Sequence, residues 1–444
     1  MTNLSRLEDR ADLQISIVLL ASWVAILVSA NWGNWPPDLS ALYMAGHFWS
    51  TGQYDLIYAS PEKFFGVGVQ SWADELTRLG YPDEVFFPYI YPPLWAALAS
   101  PLAQALSPPA FFNLFYVIHI SMIAASIFLT YRLIKPPVPL ALWCVVSCFL
   151  AYLSMLSSTA LFHNQLQITV TFLIILSLER YGASAMVTAG IALGIAAAIK
   201  VTPAALGIIF LLDRSYRPAV VTAITGLGML ALSYLITGPQ LHVEFLNQIK
   251  TISEQVVIMR VNWNLESFLF QVSSLITGVP LIDPAKLPAE LLASPLDHTQ
   301  PEPFWITIFT KVVLIAAIAL VLFRTHGLNR LDRLRLRPIG LLLAMTMCAP
   351  LGWSHHYLPV LMLLPVILTF VAPLRAIALL LAFASVTSIG VFELVHLQNT
   401  QIHFNAMFNT AILMATFALF FARPKSFISK QPSKMLKRRR LSPK

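Results

Sequence analysis

Asp38 is the residue whose setting says most about chemistry in this chain of 444 residues. It lies in NWGNWPPDLSALYMAGHFW, just past an apolar run, so a carboxylate stands beside the end of what reads as a transmembrane helix. An ionisable group there is a candidate for function before it is one for packing. Lys200 closes the run GIALGIAAAIK ahead of Val-Thr-Pro. An ammonium at such a helix end either snorkels to the interface or binds a phosphate or carboxylate. HNQLQ brings His163, Asn164, Gln165 and Gln167 to the start of another helix, where capping and interfacial solvation compete with substrate contact. CAPLGWSHHYLPV puts His355 and His356 at a junction of two helices. Adjacent histidines point to different sides of a helix, which argues against a metal shared by that pair and leaves a contact from one of them to a phosphate oxygen. Asn262 and Asn264, in RVNWNLESF, either bind sugar hydroxyls or cap a helix.

The elements that must hold these groups are membrane elements. Hydrophobic residues make up 57% of the chain and charged ones 11%, with a mean hydropathy of +0.71, which describes an all-α polytopic membrane protein and not a soluble domain. The net charge of +8 sits largely in RTHGLNRLDRLRLR and in the stretch from Arg423 to KRRRLSPK. Those clusters read as cytoplasmic anchors facing anionic lipid, with no nucleic-acid partner. Cys144, Cys148 and Cys348 all fall in apolar runs, where a thiol packs as a small hydrophobe.

Leu13 to Ala30 runs into Asn-Trp with no small-residue cleavage site, and so reads as a first span. Further apolar runs fall near 110–131, 137–160, 164–181, 183–199, 203–213, 218–237, 304–323, 338–352, 358–373, 376–396 and 404–422. They predict about twelve transmembrane helices, several of them shorter than the ~20 residues a crossing normally needs. Tyr89 to Leu106 is apolar but carries Pro92, Pro93 and Pro101. Treating it as a juxtamembrane helix puts Arg132, Lys135, Asp213 to Arg217, Arg324 to Arg337, Arg375 and the basic tail on one side, and both acid-rich loops on the other. The expected organisation is therefore one integral-membrane domain over 1–422. A first external loop at 31–109 and a second at 238–303 carry juxtamembrane helices, and a basic tail spans 423–444. Both termini are expected in the cytoplasm and the two loops over a cavity at the outer leaflet of the bacterial cell membrane.

The order of these features resembles the glycosyltransferase C superfamily. They are PPDLSALYMAGHFW, GQYDLIY, FFPYIYPPLWAALASPLAQAL, HNQLQ, GIALGIAAAIKVTP and GWSHHYLPV. Within that superfamily the chain is most similar to glycosyltransferase family 87, the polyprenyl-phosphate-mannose-dependent α-mannosyltransferases. The resemblance implies transfer of a hexose, most simply mannose, from a polyprenyl-phosphate donor to a glycolipid or glycan hydroxyl outside the cytoplasm, with inversion at the anomeric carbon. It implies Asp38 as the general base and Lys200, His355 and His356 as binders of the donor phosphate. Asn164, Gln165, Asn264 and Tyr91 are implied as substrate contacts. Some members of the wider superfamily use a divalent metal near the catalytic Asp, for which Asp55 would be a second carboxylate, but no metal site or cofactor is assigned. Arabinofuranosyl, glucosyl or galactosyl lipids are alternative donors. A lipid or polysaccharide transporter of similar size is a further alternative, without the internal repeat such proteins usually show.

Overall fold

A computed structural model describes residues 3–58, 70–279, 298–395 and 402–421. The basic tail at 423–444 lies outside them, as do Glu62 and Lys63 of the first loop and Asp283, Lys286, Glu290 and Asp297 of the second.

In chain order the described helices are α1 (Asn3–Asn31), α2 (Pro37–Ser50), α3 (Gln70–Arg78), α4 (Leu94–Ala105), α5 (Pro108–Ile134), α6 (Leu140–Leu153), α7 (Met155–Phe162), α8 (Gln167–Gly182) and α9 (Met186–Ile199). They continue with α10 (Ile208–Leu212), α11 (Tyr216–Ser253), α12 (Leu265–Thr277), α13 (Phe304–Thr325), α14 (Arg330–Met347), α15 (Leu358–Leu363), α16 (Pro373–Val386), α17 (Ile389–Leu394) and α18 (Phe404–Phe421). Five of them are long and apolar enough to cross a bilayer: Asp9–Asn31 within α1, then α5, α11, α13 and α18.

Several of the other apolar runs are interrupted, each for a visible reason. Ser154 leaves helical geometry at φ −78°, ψ 134° and caps α7 by accepting from the Leu156 N–H. Its hydroxyl also lies 3.0 Å from Oγ1 of Thr387, and this one contact marks the breaks in both the 137–160 run and the 376–396 run. Pro359 and Pro365 divide the 358–373 run into α15 and a 3₁₀ stretch, Leu364–Thr369. The second loop departs from an all-helical expectation. It begins as a continuation of α11 past a bend at Gly238 (φ 71°) and Pro239. It then holds a two-stranded antiparallel ladder of β1 (Gln255–Ile258) and β2 (His298–Pro301), which are far apart in the chain with α12 between them.

Close helix contacts rest on small residues. A Cβ on Gly190 would stand 2.7 Å from the Pro218 carbonyl, and one on Gly194 2.9 Å from the Thr222 carbonyl. The backbones of α9 and α11 therefore meet as membrane helices do at small-residue faces. Gly46 does the same for α2 on α4, where its Cβ would sit 3.1 Å from the Ala99 backbone. The proline-rich stretch after Tyr89 accordingly folds as α4 lying against α2.

One end of the bundle is held by ions. Asp12 accepts from the Leu140 and Ala141 N–H groups at 2.8 and 2.9 Å, tying α1 to the start of α6. Asp213 lies 3.2 Å from both Arg333 and Arg337, and Glu179 lies 3.0 Å from Arg132. Asp38, Gln165, Lys200 and the 350–357 segment gather at the opposite end.

Candidate active site

Two prolines aim Asp38. Pro36 is extended (φ −93°, ψ 112°) and Pro37 opens α2, a position where the missing N–H costs nothing. The carboxylate thus falls in the first helical turn, where the helix dipole favours an anion. The Leu39 N–H donates to the His163 carbonyl at 3.3 Å and the Phe87 N–H to the Pro37 carbonyl at 3.1 Å. These bonds pin the start of α2 between the end of α7 and the segment leading into Tyr89. Oδ2 of Asp38 stands 3.4 Å from Nδ1 of His163, and a fifth (20%) of the Asp38 side chain stays accessible. Burial raises the Asp38 pKa above the ordinary carboxylate value, against the opposing influence of His163, the Gln165 side chain and Lys200.

The HNQLQ motif shows why these residue types occur together. Asn164 adopts the left-handed conformation (φ 46°), and the Gln165 N–H reaches back to the Ala160 carbonyl while the Asn164 N–H reaches Leu161, both at 2.9 Å. This is a Schellman ending of α7, for which asparagine is a natural choice after glycine. The Asn164 amide is then used internally. Its Oδ1 meets Nδ1 of buried His119 at 2.7 Å, and its Nδ2 donates to the Phe112 carbonyl at 3.1 Å. Asn164 thereby fastens the turn to α5 and sets the position of its neighbours. Gln165 accepts at 2.7 Å from the Tyr91 hydroxyl, linking the Pro-Pro segment before α4 to the carboxylate of Asp38.

Lys200 follows the last turn of α9 in extended conformation (φ −139°, ψ 132°), where its backbone N–H still bonds to Ala196. Its ammonium donates to Oε1 of Gln167 at 3.0 Å and to Nε2 of His356 at 2.8 Å. Burial pushes its pKa down to about 7, and Asp38 works in the opposite direction. His355 is 5% exposed and neither ring nitrogen has a partner among the described residues. Its ring lies 6.5 Å from that of His163 and 4.7 Å from that of His356.

A cavity of about 230 Å³ opens beside this cluster. Lys200, Gln167 and His356 form its polar end, and Val170, Ile174 and Leu342 are among its apolar walls. A larger hollow, about 420 Å³, lies at the other end of the bundle against the Arg132–Glu179 pair and holds none of the candidate residues.

Asn264 caps α12 by accepting from the Ser267 N–H at 2.9 Å, and its Nδ2 donates to the carbonyls of Ala349 and Pro350 at 2.9 and 2.7 Å. Asn262 accepts from the Gly352 N–H at 2.8 Å and donates to Val257 at 2.7 Å. A Cβ on Gly352 would lie 2.8 Å from that of Asn264. The two asparagines stitch the second loop to the turn that presents His355 and His356.

The structure thus brings Asp38, Gln165, Tyr91, Lys200, His355 and His356 to one place, and puts Asn164 and Asn264 in the scaffold around them. Gln167 is a direct partner of Lys200, and His163 faces the carboxylate. His119 was missed in the sequence because a histidine within an apolar run has no local signal of a partner 45 residues on. Asp55 is exposed in the 3₁₀ turn Tyr54–Leu56. Among the described residues no three of His, Cys, Asp and Glu gather as metal ligands.

A family model described as glycosyltransferase family 87 matches residues 89–350, more than half of the chain. Asp38 precedes the matched stretch, whereas Tyr91, Lys200 and the Asn264 cap fall inside it. No curated protein and no solved structure matches the chain.

Proposed function

The chain belongs to glycosyltransferase family 87 and is a membrane glycosyltransferase, and from that premise we propose that it moves a hexose, mannose in the first instance, from a polyprenyl-phosphate donor to a lipid or glycan hydroxyl. The site faces the outside of the cell membrane in this reading, and the ion-paired end with both termini faces the cytoplasm. Residues 1–422 act as a single catalytic domain.

The observation that carries the reading is the cavity whose apolar wall ends at Lys200 and His356. An isoprenyl chain suits the wall and a phosphodiester suits the ammonium, which supplies a compact positive charge. Asp38 and that ammonium act on each other electrostatically, and in this reading the base and the phosphate site address the two sides of one anomeric carbon. As the acceptor oxygen attacks, its proton passes to the Asp38 carboxylate, which must be ionised and within hydrogen-bond reach. The bond from the anomeric carbon to the phosphate oxygen breaks, and the electron pair leaves on the phosphate. Lys200, steadied by Gln167 and His356, meets that growing charge, and fixed donors of this kind are among the larger contributions to catalysis. One displacement by one base inverts the anomeric centre. Gln165 and Tyr91 hold the acceptor side of the carboxylate in place.

The test is transfer of radiolabelled sugar from polyprenyl-phosphate-mannose to a membrane glycolipid extract, with wild type and Asp38→Asn side by side. Label moved by wild type alone supports both the donor class and the base. Transfer by neither folded protein directs the assay to arabinofuranosyl, glucosyl and galactosyl lipids. Failure with all of them removes the donor reading.

A further inference from the structure

Gln248 is 1% exposed, and neither its Oε1 nor its Nε2 has a hydrogen-bond partner among the described residues. The buried amides of the candidate site and its scaffold behave differently. Asn164, Gln165, Asn262 and Asn264 each place at least one polar atom in a bond of 2.7–3.1 Å. A buried amide with both ends unmet is costly, and leucine or methionine would fill such a position without that cost.

Its place on α11 says what could meet it. Past the bend at Gly238, Leu241, Gln248 and Ile252 are buried on one face of the helix, as their spacing requires. Ile252, one turn beyond Gln248, lines the cavity that ends at Lys200 and His356. Phe245, three residues before it, packs against Tyr58 with ring centroids 6.2 Å apart. Tyr58 donates to the Tyr91 carbonyl at 2.8 Å and Tyr91 to Gln165 at 2.7 Å. Gln248 therefore stands one turn from a wall residue of the cavity on one side and three residues from the contact with the tyrosine layer that leads to Asp38 on the other.

We propose that Gln248 binds two neighbouring hydroxyls of the donor sugar, its carbonyl accepting from one and its amide nitrogen donating to the other. A vicinal diol offers a donor and an acceptor at the spacing of one carboxamide, so the residue reads the hydroxyl pattern of the sugar where Lys200 reads only the phosphate. The assignment rests on the lipid-linked donor proposed above and adds to it the group that selects among sugars. A site built to hydrogen-bond a hydroxyl rejects analogues that lack it far more strongly than an apolar pocket does.

Gln248→Met keeps length and volume and removes both polar atoms. In the full-length protein its thermal midpoint should equal or exceed that of wild type, since an unpartnered amide is lost. Its kcat/KM with polyprenyl-phosphate-mannose should fall roughly 10- to 100-fold, the effect of losing one or two such bonds. Its preference for the mannosyl donor over the 3-deoxy analogue should collapse, because either vicinal pair of ring hydroxyls includes the 3-hydroxyl. A lower midpoint with the preference intact would make Gln248 a packing residue and overturn the proposal, as would unchanged kcat/KM and preference. Binding separates this failure from failure of the donor reading. Wild type should be stabilised more by polyprenyl-phosphate sugars than by bare polyprenyl phosphate, and Gln248→Met should keep only the stabilisation by the bare lipid. An increment from the sugar in both proteins overturns the role of Gln248 alone. No increment in wild type with any sugar overturns that role and the donor reading together.

Discussion

Nζ of Lys200 donates to Nε2 of His356 across 2.8 Å while Nδ1 of the same ring meets the Leu351 carbonyl at 3.0 Å. The backbone carbonyl only accepts and the ammonium only donates, so these partners assign the ring its neutral, Nδ1-protonated form with a lone pair held toward the lysine. With Gln167 as second acceptor, one ammonium proton is left for a ligand.

Lys200→Ala should lower kcat/KM for the lipid-linked donor by about 10²- to 10³-fold, the scale of losing one preorganised donor to a developing oxyanion. His356→Ala should cost about tenfold if it works by holding Lys200, and the double variant should then match Lys200→Ala alone. Steady-state kinetics on the four proteins decide it. Additive losses would show that His356 meets the donor on its own.

The same two charges give a pH dependence with a definite sign. Asp38 acts only when ionised, and burial raises its pKa, so the acidic limb of kcat/KM should lie above the range of an ordinary carboxylate. Lys200 acts only when protonated, and its pKa in the free protein is pushed down to about 7, so donor capture should be lost as pH rises through about 7. A bound phosphate stabilises the ammonium and should move the alkaline limb of kcat upward. Lys200→Arg stays charged throughout, so the alkaline limb of kcat/KM should vanish while the acidic limb remains. Persistence of the alkaline limb in that variant would assign it to another group.

Much of this site was legible from residue types, because a carboxylate, a lysine and paired histidines at helix ends in an apolar chain are costly unless used. Legibility stopped at the amides. Asn164 and Asn264 read equally as sugar ligands or caps, and only the partners His119, Phe112, Ala349 and Pro350, all distant in sequence, show that their polar atoms are taken. Gln248 carried no signal at all, since nothing nearby in the chain distinguishes a buried amide without partners from one on a solvated face. In the fold, hydropathy located the apolar runs but not the breaks at Ser154 and Thr387, which depend on a contact between residues 233 positions apart.

Asn164 is expected to matter for stability more than for turnover. Asn164→Ala removes two buried hydrogen bonds and places a Cβ residue less tolerant than asparagine at φ 46°, a loss of about 2–4 kcal/mol. Asn164→Gly keeps the left-handed turn and should recover part of it. Denaturant or thermal unfolding in detergent, read beside the specific activity of the folded fraction, tests the assignment. Unchanged stability with activity lost would return Asn164 to the substrate.

Topology is open to direct labelling because the charge asymmetry makes a one-sided forecast. Arg333 and Arg337 gather around Asp213 at the end opposite Asp38, and the basic tail joins that side if positive charge is retained in the cytoplasm. In a variant whose three native cysteines are replaced, a membrane-impermeant thiol reagent added outside should reach Val85→Cys and Ile276→Cys. Those positions are 59% and 80% exposed in the two loops. It should leave Ser433→Cys unlabelled until the membrane is opened. Label on Ser433→Cys in intact cells would invert the protein, place Asp38 in the cytoplasm and overturn the outward-facing site.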